Sequence, residues 1–96
     1  MANRDYIVFD FETGSRNPTR TQPTQIAALA LDGRNLAVKG SFNSEIKPIL
    51  DDEKAIKAGF DPIEDGALRV TNKTREALAK APALKSVWNK FTKFVD

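Results

Sequence analysis

Three segments of β-type sequence follow one another in the first half of the chain, and the connections between them are too short to hold a crossover helix. Residues 5–12 are rich in β-branched and aromatic types. Residues 13–23 form a loop punctuated by Gly14, Asn17, Pro18 and Pro23. Residues 24–31, Thr-Gln-Ile-Ala-Ala-Leu-Ala-Leu, are almost continuously apolar, which favours a strand buried on both faces, although propensity alone also allows a helix. Asp32-Gly33 is a hairpin signal. Residues 36–47 alternate, with Leu36, Val38, Gly40, Phe42, Ser44 and Ile46 on the apolar side. That pattern predicts a strand with one buried face and a bulge near Gly40. Short connections make such a sheet an antiparallel meander.

After Pro48 the period changes. Residues 52–58 predict a short helix ending near Gly59, and 65–70 a further helical turn. Thr74 suits the N-cap of a helix over 75–80. In 82–95, with Pro82 in the first turn, Leu84, Val87, Trp88, Phe91, Phe94 and Val95 fall at helical spacing. Trp88 and the phenylalanines there read as core, and the intervening lysines as a solvated face. The expected fold class is therefore α+β: one domain, residues 1–96, with helices on one face of a three-stranded sheet.

Composition narrows the chemistry. The chain has no Cys and no His, which excludes a thiol nucleophile, a zinc-thiolate site, a Ser-His-Asp triad and a histidine base within it. A net charge of +2 is too small to imply nucleic-acid binding by itself. Residues 1–5 lead directly into a strand and do not resemble a signal peptide, and no apolar run is long enough to span a membrane. The expectation is a cytoplasmic protein with no membrane partner.

The first strand carries the chemically informative residues. In Tyr6-Ile7-Val8-Phe9-Asp10-Phe11-Glu12, period 2 places Asp10 and Glu12 on one face, at the end of a segment whose apolar character predicts burial. Two like charges there repel and lose hydration unless a cation compensates them. A hard divalent ion such as Mg²⁺ or Mn²⁺ prefers carboxylate oxygen. Asp-x-Glu alone is a weak pattern, and a pair of solvated acids is the ordinary alternative. Gly14 in the following turn allows a sharp bend or a close backbone approach.

The residues Asp10-Phe11-Glu12-Thr13 resemble the first motif of the DEDD 3′–5′ exonucleases, closest to the exodeoxyribonuclease I and proofreading branches. Pro23 to Ala28 resembles that family's second strand, and Phe42 to Pro48 the end of its third. Ala67 to Thr71, Thr74 to Leu78 and Ala81-Pro82 resemble its loop and helix cap beside the nucleotide. The resemblance implies a partial ribonuclease H-like fold and a two-metal site. Asp10 and Glu12 would be its catalytic and metal-binding residues. Phe11, Thr13, Gly14, Asn72, Lys73 and Thr74 would lie at the nucleotide, and the partner would be a single-stranded DNA or RNA 3′ end.

Two departures matter. Asn72 and Lys73 stand where the family has Gly and a branched apolar residue; Asn tolerates the left-handed conformation, and Lys73 brings a charge suited to phosphate. The family's later acids and its general base have no match here, so the chain is expected to be an N-terminal portion that lacks efficient activity alone. The alternative is a non-catalytic nucleic-acid or protein interaction module, with Arg16, Arg20, Arg69, Lys73 and Arg75 as phosphate contacts. The resemblance also implies that the first strand is central in the full fold, so that here its apolar edge, Asp5 to Phe11, would be exposed and unpaired, which suggests a homodimer.

Overall fold

A computed structural model describes residues 5–96; the expectation for Met1–Arg4 lies outside the described residues. Strands β1 (Tyr6–Thr13), β2 (Pro23–Leu31) and β3 (Val38–Glu45) form an antiparallel sheet in the order β1-β2-β3. Four helices follow: α1 (Asp52–Lys57), α2 (Asp65–Thr71), α3 (Arg75–Ala79) and α4 (Leu84–Val95). The meander and its helical second half are as the sequence predicts. None of the helices among the described residues is long and apolar enough to cross a membrane.

Register decides the faces. Phe9, Ala28 and Phe42 are aligned across the sheet, as are Glu12, Gln25 and Glu45 one and a half periods further along. The first row faces α4, where Ile26, Ala28, Ile46, Val87 and Phe91 form the main core and Ile7, Phe42 and Phe94 pack around it. The opposite face is open except at its Glu12–Gln25–Glu45 end, where Lys73 reaches Gln25 and Glu45. Strand β2 is thus buried on one side only: Thr24, Ile26, Ala28 and Ala30 are covered, while Ala27 and Leu29 are exposed. The expectation of two buried faces fails because α4 covers only one side, and on the other only Gln25, at one end of the strand, is partly covered. Strand β1 is likewise exposed rather than buried, with Val8 54% and Phe9 53% accessible. It is an edge strand, and α4 covers it only partly.

The predicted bulge near Gly40 is present, with Ala30 opposite Gly40 but Leu31 opposite Val38. Lys39 is the extra residue. The slip turns Val38 onto the open face with Tyr6 and Leu31, away from the buried side on which simple alternation placed it. The strand also begins at Val38 rather than at residue 36, because Leu36 sits in the left-handed region at φ 61°. The Asp32–Ala37 turn is closed by the Leu36 amide donating to Asp32 O and the Asp32 amide donating to Ala37 O, with no positive φ at Gly33. A bulky residue at positive φ is strained, and Leu36 is exposed. Leu36→Gly is therefore expected to stabilise the protein by about 1 kcal/mol. An unchanged or lower urea midpoint would contradict that.

Helix ends follow local chemistry. Asp51 and Thr74 side chains accept the amides of Lys54 and Ala77. Helix α1 ends in a Schellman motif: Gly59, at φ 90°, donates to Ile56 O, and Phe60 donates to Ala55 O. Helix α2 ends the same way on Asn72, with φ 56°, where Asn72 and Lys73 donate to the carbonyls of Arg69 and Leu68. Helix α4 starts at Leu84, two residues later than predicted. Pro82 precedes its N-cap, because the Pro82 carbonyl accepts the Lys47 amide and holds that segment extended beside β3.

Two cores result. Ile63, Leu68 and Leu78, with Leu50 against them, form a second cluster around α2 and α3. The molecule is elongated, 47 × 24 × 24 Å, with a radius of gyration of 15.0 Å. A compact chain of this length would have a radius near about 12.5 Å.

Candidate functional site

Asp10 and Glu12 stand two positions apart on the open face of β1, opposite Ala27 and Gln25. Asp10 is exposed, and its Oδ1 accepts the Phe11 amide at 2.9 Å. Glu12 is half-buried and borders a cleft of about 610 Å³. One wall of this cleft is the end of β1 and the following loop: Phe11, Glu12, Thr13, Ser15 and Arg16. The other is Glu64 with the first two turns of α2: Gly66, Ala67, Val70 and Thr71.

Hydrogen bonds between the walls hold them together. The Glu64 amide donates to Gly14 O at 2.7 Å, and its carboxylate accepts the Arg16 amide, also at 2.7 Å. The Arg16 guanidinium lies 3.5 Å from Glu64 and is almost fully exposed at the cleft rim. Arg75 donates to Ile63 O and to Asp65, and holds the Asp65 carboxyl below the usual carboxylate range. Arg20 and Asp61 pair at 3.5 Å on the same loop pair. Ser15 Oγ is buried without a partner among the described residues.

Phe11, Glu12 and Thr13, expected at the site, line the cleft, and Asp10 lies one position beyond on the same face as Glu12. Gly14 does not line it. A Cβ there would come within 2.3 Å of Ile63 Cδ1, so its close approach is to the second core. Asn72 is the left-handed end of α2, and Thr74 is occupied in capping α3. The Lys73 side chain is only 7% exposed; its Nζ donates to Gln25 Oε1 and to Glu45 Oε2. It is therefore not presented to a phosphate. Ser15, Glu64 and Gly66 are wall residues that the sequence reading does not name. Ala67, Val70 and Thr71 fall in the segment whose resemblance to the family's loop is the available signal.

The two acids form an all-oxygen donor pair open to solvent, which suits a hard divalent cation. No cluster of three or more metal-ligating side chains occurs among the described residues.

No curated protein sequence matches the chain. Among solved structures, it superimposes on cell-death related nuclease 4 with a TM-score of 0.72 and 22% identity, covering 96% of this chain and 30% of that one. The nuclease domain of 3′hExo, a DEDDh family member bound to rAMP, gives 0.73 and 16%, covering 95% and 43%. E. coli exonuclease I in complex with a dT13 oligonucleotide gives 0.64 and 23%, covering 83% and 15%. The chain thus spans less than half the length of each, and at these identities the likeness establishes the fold, a partial ribonuclease H-like exonuclease fold. A family model, that of the RNase T exonucleases, matches residues 7–96, and over that span the chain belongs to this exonuclease family.

Proposed function

We propose that the cleft between β1 and α2 receives the 3′ end of a single-stranded nucleic acid, and that Asp10 and Glu12 hold a divalent cation, Mg²⁺ or Mn²⁺, beside it. The observation that carries this reading is the position of Glu12: on the same strand face as Asp10 and in the cleft wall at once. Structures of similar fold contain dT13 and rAMP, which supports a nucleotide ligand. When bound, the cation supplies charge neutralisation and a polarised water for phosphodiester hydrolysis. Phe11 and exposed Val70 offer apolar surface to a base. Arg16 offers a guanidinium to the phosphate chain.

Two carboxylates hold such an ion weakly, and the chain has no His to serve as base. These 96 residues are expected to bind the metal and an oligonucleotide but to turn over poorly by themselves. Titration of Mn²⁺ with backbone NMR tests the site: broadening is expected at residues 10–13 and is expected to vanish in Asp10→Asn/Glu12→Gln. Broadening that spares these residues, or survives the double substitution, refutes the metal site. Efficient Mg²⁺-dependent turnover of single-stranded DNA or RNA, abolished by Asp10→Ala, would refute poor competence. Oligonucleotide binding with no metal response at all would favour a non-catalytic binding module instead.

A second reading rests on the free edge of β1, where Tyr6, Val8 and Phe9 are exposed. Such edges pair with other strands. The chain is expected to dimerise at micromolar concentration through this edge, with a doubled mass in light scattering. A stable monomer refutes it.

A further inference from the structure

We propose that Lys73 is a positioning residue, a buried latch that fixes the α2 wall of the cleft against the sheet. The proposal deepens the reading of the cleft as a nucleotide site and rests on it. The Schellman turn on Asn72 ends α2 and aims the next side chain back at the sheet. There the Lys73 ammonium meets the row Glu12–Gln25–Glu45, which lies in register across all three strands. It donates to Gln25 Oε1 and, at 3.3 Å, to Glu45 Oε2. Gln25 is held from its other side, because its Nε2 donates to Asn43 Oδ1 at 2.6 Å. The amide can then serve only one orientation, with its oxygen toward Lys73.

The second core around α2 is separate from the core under the sheet. Its placement depends on a few polar ties, and the Lys73 latch is the one at the far end of α2. Gly66, Ala67, Val70 and Thr71 face the cleft from the helix that this latch terminates. A charged side chain this buried is expensive unless paired, so the latch is committed: releasing it leaves Glu45 and Gln25 without their partner. The Glu12 carboxylate shares this row, so the latch also places a cation on Gln25, the residue paired directly with the proposed metal ligand.

A latch and a phosphate contact predict opposite outcomes. The probe is a fluorescein-labelled oligo-dT with Mg²⁺, followed by anisotropy over a range of salt. For the latch, Lys73→Met weakens binding about fivefold, with the slope of log K against log salt unchanged. Glu45→Gln weakens it in the same direction, and the double variant costs no more than Lys73→Met alone. For a phosphate contact, Lys73→Met lowers the slope by about 0.7, and Glu45→Gln tightens binding by removing a repulsive charge; either result overturns the latch. Hydrogen exchange on the free protein gives a second, ligand-independent readout. Amides of α2 in Lys73→Met are expected to exchange about tenfold faster, with those of Ile26 and Ala28 unchanged. Unchanged α2 exchange also overturns the proposal. If the wild-type chain binds no oligonucleotide, the nucleotide reading of the cleft fails, while the exchange experiment still decides the latch. Glu45→Gln, at a half-exposed position, carries both tests should Lys73→Met fail to fold.

Discussion

Phe91→Ala is expected to remove about 4 kcal/mol of stability, a melting-temperature loss on the order of 20 °C for a domain of this size. Phe91 is where α4 meets the sheet. Its ring lies 5.8 Å from Phe9, 5.9 Å from Phe42 and 5.4 Å from Trp88, so it joins β1, β3 and α4 in one contact. The ring is buried, while Phe9 and Trp88 around it are about half exposed. Truncation forfeits the transfer energy of the ring and leaves a cavity that the stiff sheet cannot close. The native state has only about 5–14 kcal/mol to lose, so one side chain carries a large fraction of it. Trp88→Ala, which opens no enclosed space, is expected to cost less than half as much. Urea unfolding compares the two, and equal losses would show that α4 is not anchored through Phe91.

Much of this arrangement is legible in the sequence because it is periodic. The helical spacing of Val87, Phe91 and Phe94 named the face of α4 that packs on the sheet, and Thr74 named a cap. What failed was burial. The apolar run at β2 reads as buried on both faces, yet Ala27 and Leu29 are exposed. Hydrophobicity records what a residue tolerates, and it does not say on which side the helices land. Val38 failed for another reason: the bulge that Gly40 signals slips the register by one residue at Lys39 and reverses the side of Val38, which simple alternation across the bulge ignores.

The site divides in the same way. Asp10, Phe11, Glu12 and Thr13 are consecutive, so strand geometry alone places them. The opposing wall comes from residues more than fifty positions away; only the resemblance of Ala67 to Thr71 to the family's loop points to it, and nothing local marks Glu64 or Gly66 as its members. Gly14 and Lys73 stand where the resemblance implies nucleotide contacts. In the structure both join the second core to the sheet: Gly14 by leaving room for Ile63, Lys73 by its grip on Gln25 and Glu45. The long-range partner that decides each role is invisible in a local window.

Gln22 is the strongest case of such a hidden role, and Gln22→Ala is expected to cost about 3 kcal/mol. In a loop its amide reads as an ordinary polar side chain. In the structure it is 5% exposed and grips the Ile49 peptide from both sides: its Oε1 accepts the Ile49 amide at 2.7 Å, and its Nε2 donates to Ile49 O at 3.0 Å. The same Nε2 reaches Asp61 O at 3.4 Å, and the Gln22 carbonyl accepts the Gly14 amide. One residue thus ties the loop after β1 to the segments on either side of α1, at the junction of the two cores. Removing it leaves part-buried backbone groups of Ile49 and Asp61 without their partner. The loss should also be local. The sheet core is reported by the fluorescence of Trp88, the chain's one tryptophan, and the second core by the methyl NMR signals of Ile63, Leu68 and Leu78. In the wild type the two probes are expected to unfold together in urea. In Gln22→Ala the methyl signals should change first, because the second core has lost its main tie to the sheet. Coincident transitions in the variant, or a loss below about 1 kcal/mol, would mean that Leu50 packing and the Lys73 latch suffice to hold the halves together without Gln22.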